Sequence, residues 1–317
     1  MYKRFVGYLL GIYYRSTLWA KEVSLPGFYK TPIYDVVVFF FRGIMQGSLT
    51  TRASAIAFSF FLAIFPSIIF LFTLIPYIPV DNFQGQFFSM LKALIPGNAF
   101  AALESTLLEV ITLKSGGLLS FGFVAALFFS TNGVNSLLGA FNATYHRIVI
   151  RNIWSQYIVS ILLTIFLTFL ISLATALIIF GQLALSYLDA HNIIKDGIVI
   201  WLLIISKWLI VLILFFFSIA MLYYFAPADR IKFRFFSPGA SLATFLIIVT
   251  SVGFSAYVNN FGQYNKLYGS IGSFMALMLW LYFNAIALLL GFELNASISS
   301  ASNDRGDNVD AMIKKLD

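Results

Sequence analysis

The sequence predicts an all-α, polytopic membrane protein with six transmembrane helices and short amphipathic helices at the membrane surface. Three observations carry this. The stretch Ser270–Gly291 runs for more than 20 residues without a charge, enough to cross a hydrocarbon core of ~30 Å at ~1.5 Å per residue. It ends on polar groups, Glu293 and Asn295, that suit a membrane surface. Over the whole chain 60% of residues are apolar and 10% charged, with mean hydropathy +0.90, whereas a soluble domain is about one quarter charged. Further apolar runs of span length recur along the chain.

Taken in order, residues 1–52 form an N-terminal segment of interfacial helices. Residues 1–30 lack an uninterrupted apolar core, so a cleaved signal peptide is not expected. Ile33–Gln46 is apolar but too short to span, and Asp35 and Arg42 interrupt it, as suits a helix lying in the interface. The transmembrane domain covers residues 53–297, with spans at Ala53–Ile75, Leu118–Ala140, Ser155–Leu185, Ile198–Phe225, Pro238–Val258 and Ser270–Gly291. Pro66 lies inside the first span, where it removes a backbone hydrogen bond and predicts a kink; Pro76 and Pro79 stop that helix. Between the first two spans, Asn82–Ile95 and Ala99–Leu113 carry apolar residues at helical spacing on either side of Pro96-Gly97, which predicts two short surface helices. Residues 298–317 are small and polar, and predict a disordered tail.

An even number of spans puts both ends on one side, and the cations choose it. The N-terminal segment carries seven, among them Arg15, Arg42 and Arg52. The second-to-third connection adds Arg147 and Arg151, and the fourth-to-fifth adds Arg230, Lys232 and Arg234. The opposite side holds Lys92, Lys114, Lys195 and Lys266. By the positive-inside rule both termini are cytoplasmic, in a multi-pass membrane protein. The net charge of +7 then lines one membrane face, where it attracts anionic headgroups rather than nucleic acid.

Several residues inside this frame carry chemistry. Lys207 is an ionisable residue well inside a span, at a cost of ~2.5–3.5 kcal/mol or more. It either snorkels along its own stem to the interface or lines a cavity. Asn132, Asn135, Gly139, Asn142 and His146 follow a 3–4–3–4 spacing and share one helix face. Amides in lipid need partners, which packing between helices or a polar cavity would supply. Asn284 lies near the middle of the last span, and Glu293 stands just beyond it, where Arg52 is a candidate partner as a structural or gating pair.

Enzymatic chemistry finds little footing. There is no cysteine, no HExxH, no Walker loop and no GxSxG elbow. Neither an enzyme nor a cofactor or metal is expected.

Four blocks resemble the YihY/BrkB family of bacterial inner-membrane proteins: Ala53–Pro66, Asn132–Arg151, Tyr223–Ala240 and Tyr268–Ala296. The last is the most specific, through Tyr268, Gly269, Trp280, Tyr282, Gly291 and Glu293. The sequence departs from the family pattern at Ala63-Ile64-Phe65, just before Pro66. The resemblance implies six helices with both ends cytoplasmic. It also implies that an old label of the family, a tRNA-processing ribonuclease, is erroneous, and it links members to serum resistance and envelope lipid transport without an agreed substrate.

The expected function is transport of a lipid or amphiphile in envelope maintenance, in the manner of a flippase. Lys207 would meet an anionic headgroup, with Asn132, Asn135, Asn142 and His146 solvating it. Expected partners are therefore membrane lipids, an anionic lipid among them as substrate; no oligomeric state is implied. A non-transporting envelope-assembly scaffold is the alternative, and an ion-coupled small-solute transporter a further one.

Overall fold

A computed structural model describes residues 17–29, 31–77, 85, 88–89, 108, 114–144, 151–190, 197–227, 235–260 and 270–313. The two expected surface helices between residues 82 and 113 lie almost wholly outside these residues, as does His146. The regular elements described are helical, and they form two compact units, residues 58–134 and the remainder.

The interfacial helix α1 (Ile33–Gln46) starts after Pro32 and carries Asp35 in its first turn, where a negative charge suits the positive end of the helix dipole. Gly47 and Ser48 break it: the Gly47 amide closes the last turn on Gly43 and Ser48 takes φ 48°, in the left-handed region. The chain then enters α2 (Leu49–Leu74), which runs through Pro66 and ends in a short 3-10 turn, Ile75–Tyr77. The remaining helices are α3 (Gly116–Asn142), α4 (Ile153–Ala190), α5 (Gly197–Phe225), α6 (Pro238–Asn260) and α7 (Ser270–Ile313).

Six of these are long and apolar enough to cross a membrane: Leu49–Tyr77, Gly116–Asn142, Ile153–Gly181, Ile198–Phe225, Pro238–Tyr257 and Phe274–Ser302. Their apolar side chains stay largely exposed. On α5, for instance, Trp201, Ile205, Trp208 and Ile213 are each more than half exposed, as expected where lipid is the solvent.

Within the unit 58–134, α2 and α3 approach where α3 carries glycine. A Cβ at Gly122 would stand 3.2 Å from the Phe70 backbone, and one at Gly133 would stand 3.2 Å from the Phe60 ring. Small residues let membrane helices come close. In the other unit, α7 packs along α6 and against α1.

One expectation changes here. Residues 298–313 continue the last helix instead of forming a disordered tail. The reason is a narrow stripe: Ile298 and Ala301, with Leu294 a turn earlier, pack on Phe28 and Val36 of the α1 region. The stripe is too sparse to register in the overall polar composition.

Candidate functional site

Two polar constellations meet at the C-terminal end of α3. The first is a buried ion pair. Arg52, four residues into α2, donates through Nη2 to Glu293 Oε1 at 2.6 Å, and Glu293 is fully buried. Its other carboxylate oxygen accepts from Thr144 Oγ1 at 2.7 Å. Arg52 Nη1 donates to the Ala140 carbonyl at 2.9 Å, one of the last carbonyls of α3 that lack a partner within the helix. A cation there also complements the helix dipole. Gly47 makes room for the guanidinium, since a Cβ on it would stand 2.7 Å from Nη2.

The ion pair rests on a close-packed knot. Tyr223 of α5 is buried and donates to the Leu288 carbonyl at 2.6 Å. Its ring meets Phe292 and Phe141 edge-on, and those two stack at 4.5 Å. Ser237 and Pro238 start α6 with a capping serine followed by proline, Ser237 Oγ accepting from the Ala240 amide. Asn295 completes the cap from α7: its Oδ1 accepts from the Gly239 amide and its Nδ2 donates to Ser237 Oγ, both at 2.9 Å. Gly239 and Gly291 face each other so closely that a Cβ on either would collide with the other's carbonyl.

The second constellation is a ladder of neutral polar groups between α3 and α4. Asn142 Nδ2 donates to Gln156 Oε1 at 3.1 Å, and Gln156 Nε2 donates to Asn135 Oδ1 at 2.9 Å. Ser160 Oγ reaches the same Asn135 oxygen at 3.4 Å. Asn142 ends α3 and Gln156 lies in the first turn of α4, so both stand near the ends of their spans. Asn135 is seven residues deeper, or about 10 Å at ~1.5 Å per residue. Asn132 continues the same helix inward by one turn and is half-buried.

The α4 side of the ladder was not legible as a site in advance. Gln156, Ser160, Thr164 and Thr168 recur every four residues, which was the available signal. Each of the three hydroxyls donates to the carbonyl four residues back, the usual way a hydroxyl is accommodated inside an apolar helix.

Lys207 is not brought to these asparagines. Its stem lies over Gly181, where a Cβ would stand 2.8 Å from Lys207 Cδ, and its ammonium is 5.6 Å from the Trp208 ring centre. Gly181 is 25 residues along α4 from Gln156, about 37 Å of helix. Asn284 donates to the Trp280 carbonyl of its own helix at 2.7 Å. Ser54 and Ala57 of α2, with Phe274, Met278 and Tyr282 of α7, line a shallow apolar groove of about 430 Å³. Among the described residues no three His, Asp or Glu side chains stand together to hold a metal ion.

Six apolar spans, with Arg52 and Glu293 paired inside them and Lys207 bedded on Gly181, define a polytopic integral membrane protein. The family model "Virulence factor BrkB" matches residues 40–312. The chain belongs to that family. It is 34% identical over 254 residues to YfkH of Bacillus subtilis, a protein named ribonuclease-like, covering 78% of this chain and 88% of that one. It is 27% identical over 265 residues to a UPF0761 membrane protein of Stenotrophomonas maltophilia, covering 83% of this chain and 60% of the relative. A UPF0761 membrane protein of Pseudoalteromonas translucida is 39% identical over 79 residues, 25% of this chain and 26% of its own length. No solved structure matches.

Proposed function

We propose that this protein carries a lipid or similar amphiphile across or within the bacterial inner membrane, guiding its headgroup along the Asn142–Gln156–Asn135–Ser160 ladder. The observation that carries the reading is the ladder's position. It begins where two spans end and reaches about 10 Å inward, which is where a headgroup leaving the interface needs polar partners. Hydrogen-bonding groups at that depth lower the cost of desolvating the headgroup. Lys207 of α5, far from the ladder, is instead a snorkelling lysine bedded on Gly181 of α4. The ribonuclease-like name belongs to the Bacillus relative and forms no part of this reading.

The test is reconstitution into liposomes holding a headgroup-reporting fluorescent phospholipid, with a membrane-impermeant quencher outside. Transport predicts that quenching continues past the outer-leaflet half at a rate set by protein content. Quenching that stops at one half, as in protein-free vesicles, would leave the scaffold reading, which the tightly satisfied Tyr223–Gly291 knot favours.

The Lys/Arg asymmetry supports cytoplasmic termini. Because the chain has no cysteine, single cysteines at Ser16 and Asn98 can be labelled cleanly. Reaction of Ser16→Cys with an impermeant thiol reagent in intact spheroplasts would reverse the orientation.

A further inference from the structure

The ladder keeps a buried hydrogen-bonding atom open, as Thr131 and Asn284 also do, but here with space beside it. Asn142 is only 9% exposed, yet its side-chain oxygen has no hydrogen-bond partner among the described residues. A buried amide oxygen left unsatisfied costs about 1–3 kcal/mol, so a group that supplies the missing bond is strongly favoured. There is also room beside it. Among the described residues, a Cβ on Gly139, one turn before, would meet nothing nearer than Gln156 Nε2 at 3.8 Å. Asn135 and Gln156 are half-buried, and so leave the ladder an open side, while Asn142 and the fully buried Ser160 form its floor.

The chemistry of the four side chains narrows what fits. All are amides or hydroxyls, and none carries charge. Turning the three amides over together reverses the donor–acceptor chain Asn142–Gln156–Asn135 and keeps its links, because each amide has an oxygen and an NH₂ in nearly the same shape. Asn142 then presents either an oxygen or a nitrogen. A hydroxyl donates and accepts, so it meets both states. An ammonium only donates and a phosphate only accepts, so each meets one, and either would bring a charge into a neutral site near the hydrocarbon.

We propose that the Gly139–Asn142–Gln156 corner is a binding site for hydroxyl-bearing lipid headgroups, of the glycerol or sugar type. The inference rests on the amphiphile-carrier reading and specifies its substrate class. Any phosphate of such a lipid stays outside the ladder, toward the interface, while the terminal hydroxyls enter.

The experiment is native mass spectrometry of the purified full chain against matched acyl chains with four headgroups. Phosphatidylglycerol and phosphatidylethanol share their charge and differ in the hydroxyls. A glucosyl diacylglycerol supplies hydroxyls without phosphate, and phosphatidylethanolamine supplies an ammonium. We expect phosphatidylglycerol to be retained about fivefold over phosphatidylethanol, the worth of one net hydrogen bond, with the glucosyl lipid also preferred over phosphatidylethanolamine. Asn142→Leu should remove the preference. Gly139→Val, which narrows the opening beside Gln156 Nε2 and leaves the Asn142 side chain in place, should reduce it and keeps the test decisive if Asn142→Leu folds poorly. Equal retention of phosphatidylglycerol and phosphatidylethanol, a preference for phosphatidylethanolamine, or a preference unchanged in both variants would overturn the inference while leaving lipid carriage standing. Failure to retain any of the four lipids would instead remove the carrier reading itself.

Discussion

The two constellations on either side of the α3 terminus are built from similar materials and finished differently. In the knot, the carboxylate of Glu293 is met by Arg52 and Thr144, the open amide of α6 is met by Asn295, and two glycines bring α6 and α7 into backbone contact. In the ladder, Asn142 stays unsatisfied on one side, Gly139 leaves space, and two of four polar side chains are half-buried. A region under pressure only to hold together closes most of the bonds it can. Of the knot's buried polar side-chain atoms, only Arg52 Nε stays open among the described residues, on a guanidinium whose charge is already met by Glu293. The ladder's exceptions are what a site that exchanges partners would keep.

Substitutions should separate the two regions. The largest effect is expected at the ion pair. Arg52→Leu leaves Glu293 buried without its countercharge and should cost about 3–5 kcal/mol, read by thermal unfolding in detergent. Pairing it with Glu293→Leu should recover much of that loss, because the orphaned charge goes too. Next, Gly291→Ala drives a methyl into the Gly239 carbonyl and the Tyr223 hydroxyl, and should cost about 1–3 kcal/mol. If Gly291→Ala melts like wild type, α6 and α7 are not held at backbone distance and the contrast with the ladder dissolves. The smallest effect belongs to Lys207→Leu. It exchanges a snorkelling cation for an apolar side chain and should leave stability equal or slightly higher, with full complementation of a deletion strain's envelope phenotype. Loss of complementation at matched protein level would return Lys207 to the transport path.

Most of the architecture was legible because uncharged length is a blunt, strong signal in a membrane protein. Five of the six spans fall within a few residues of the expected ones at both ends; the first starts before Arg52, at Leu49, and the last runs on past Glu293 to Ser302, for a physical reason. Arg52 and Glu293 read as boundary markers when taken singly, but as a pair they are tolerated inside continuous helices. The helical tail was hidden because Leu294, Ile298 and Ala301 make a stripe only one residue wide. The ladder was half visible. Amides in a span stand out, as Asn132, Asn135 and Asn142 do, whereas serine and threonine are common in spans, so a four-residue repeat of them on α4 carries little signal. Lys207 stands out as a charge within an apolar run, although Gly181, the residue that beds it, is no more conspicuous than any other glycine.

The most direct measurement compares lipid translocation by wild type and by the Asn142→Leu, Gln156→Leu double variant, at matched insertion in the same vesicles. Each buried polar contact in a membrane is worth about 0.6 kcal/mol or somewhat more, so losing two should slow translocation per folded protein by about tenfold. Equal translocation rates for the two proteins would contradict the account.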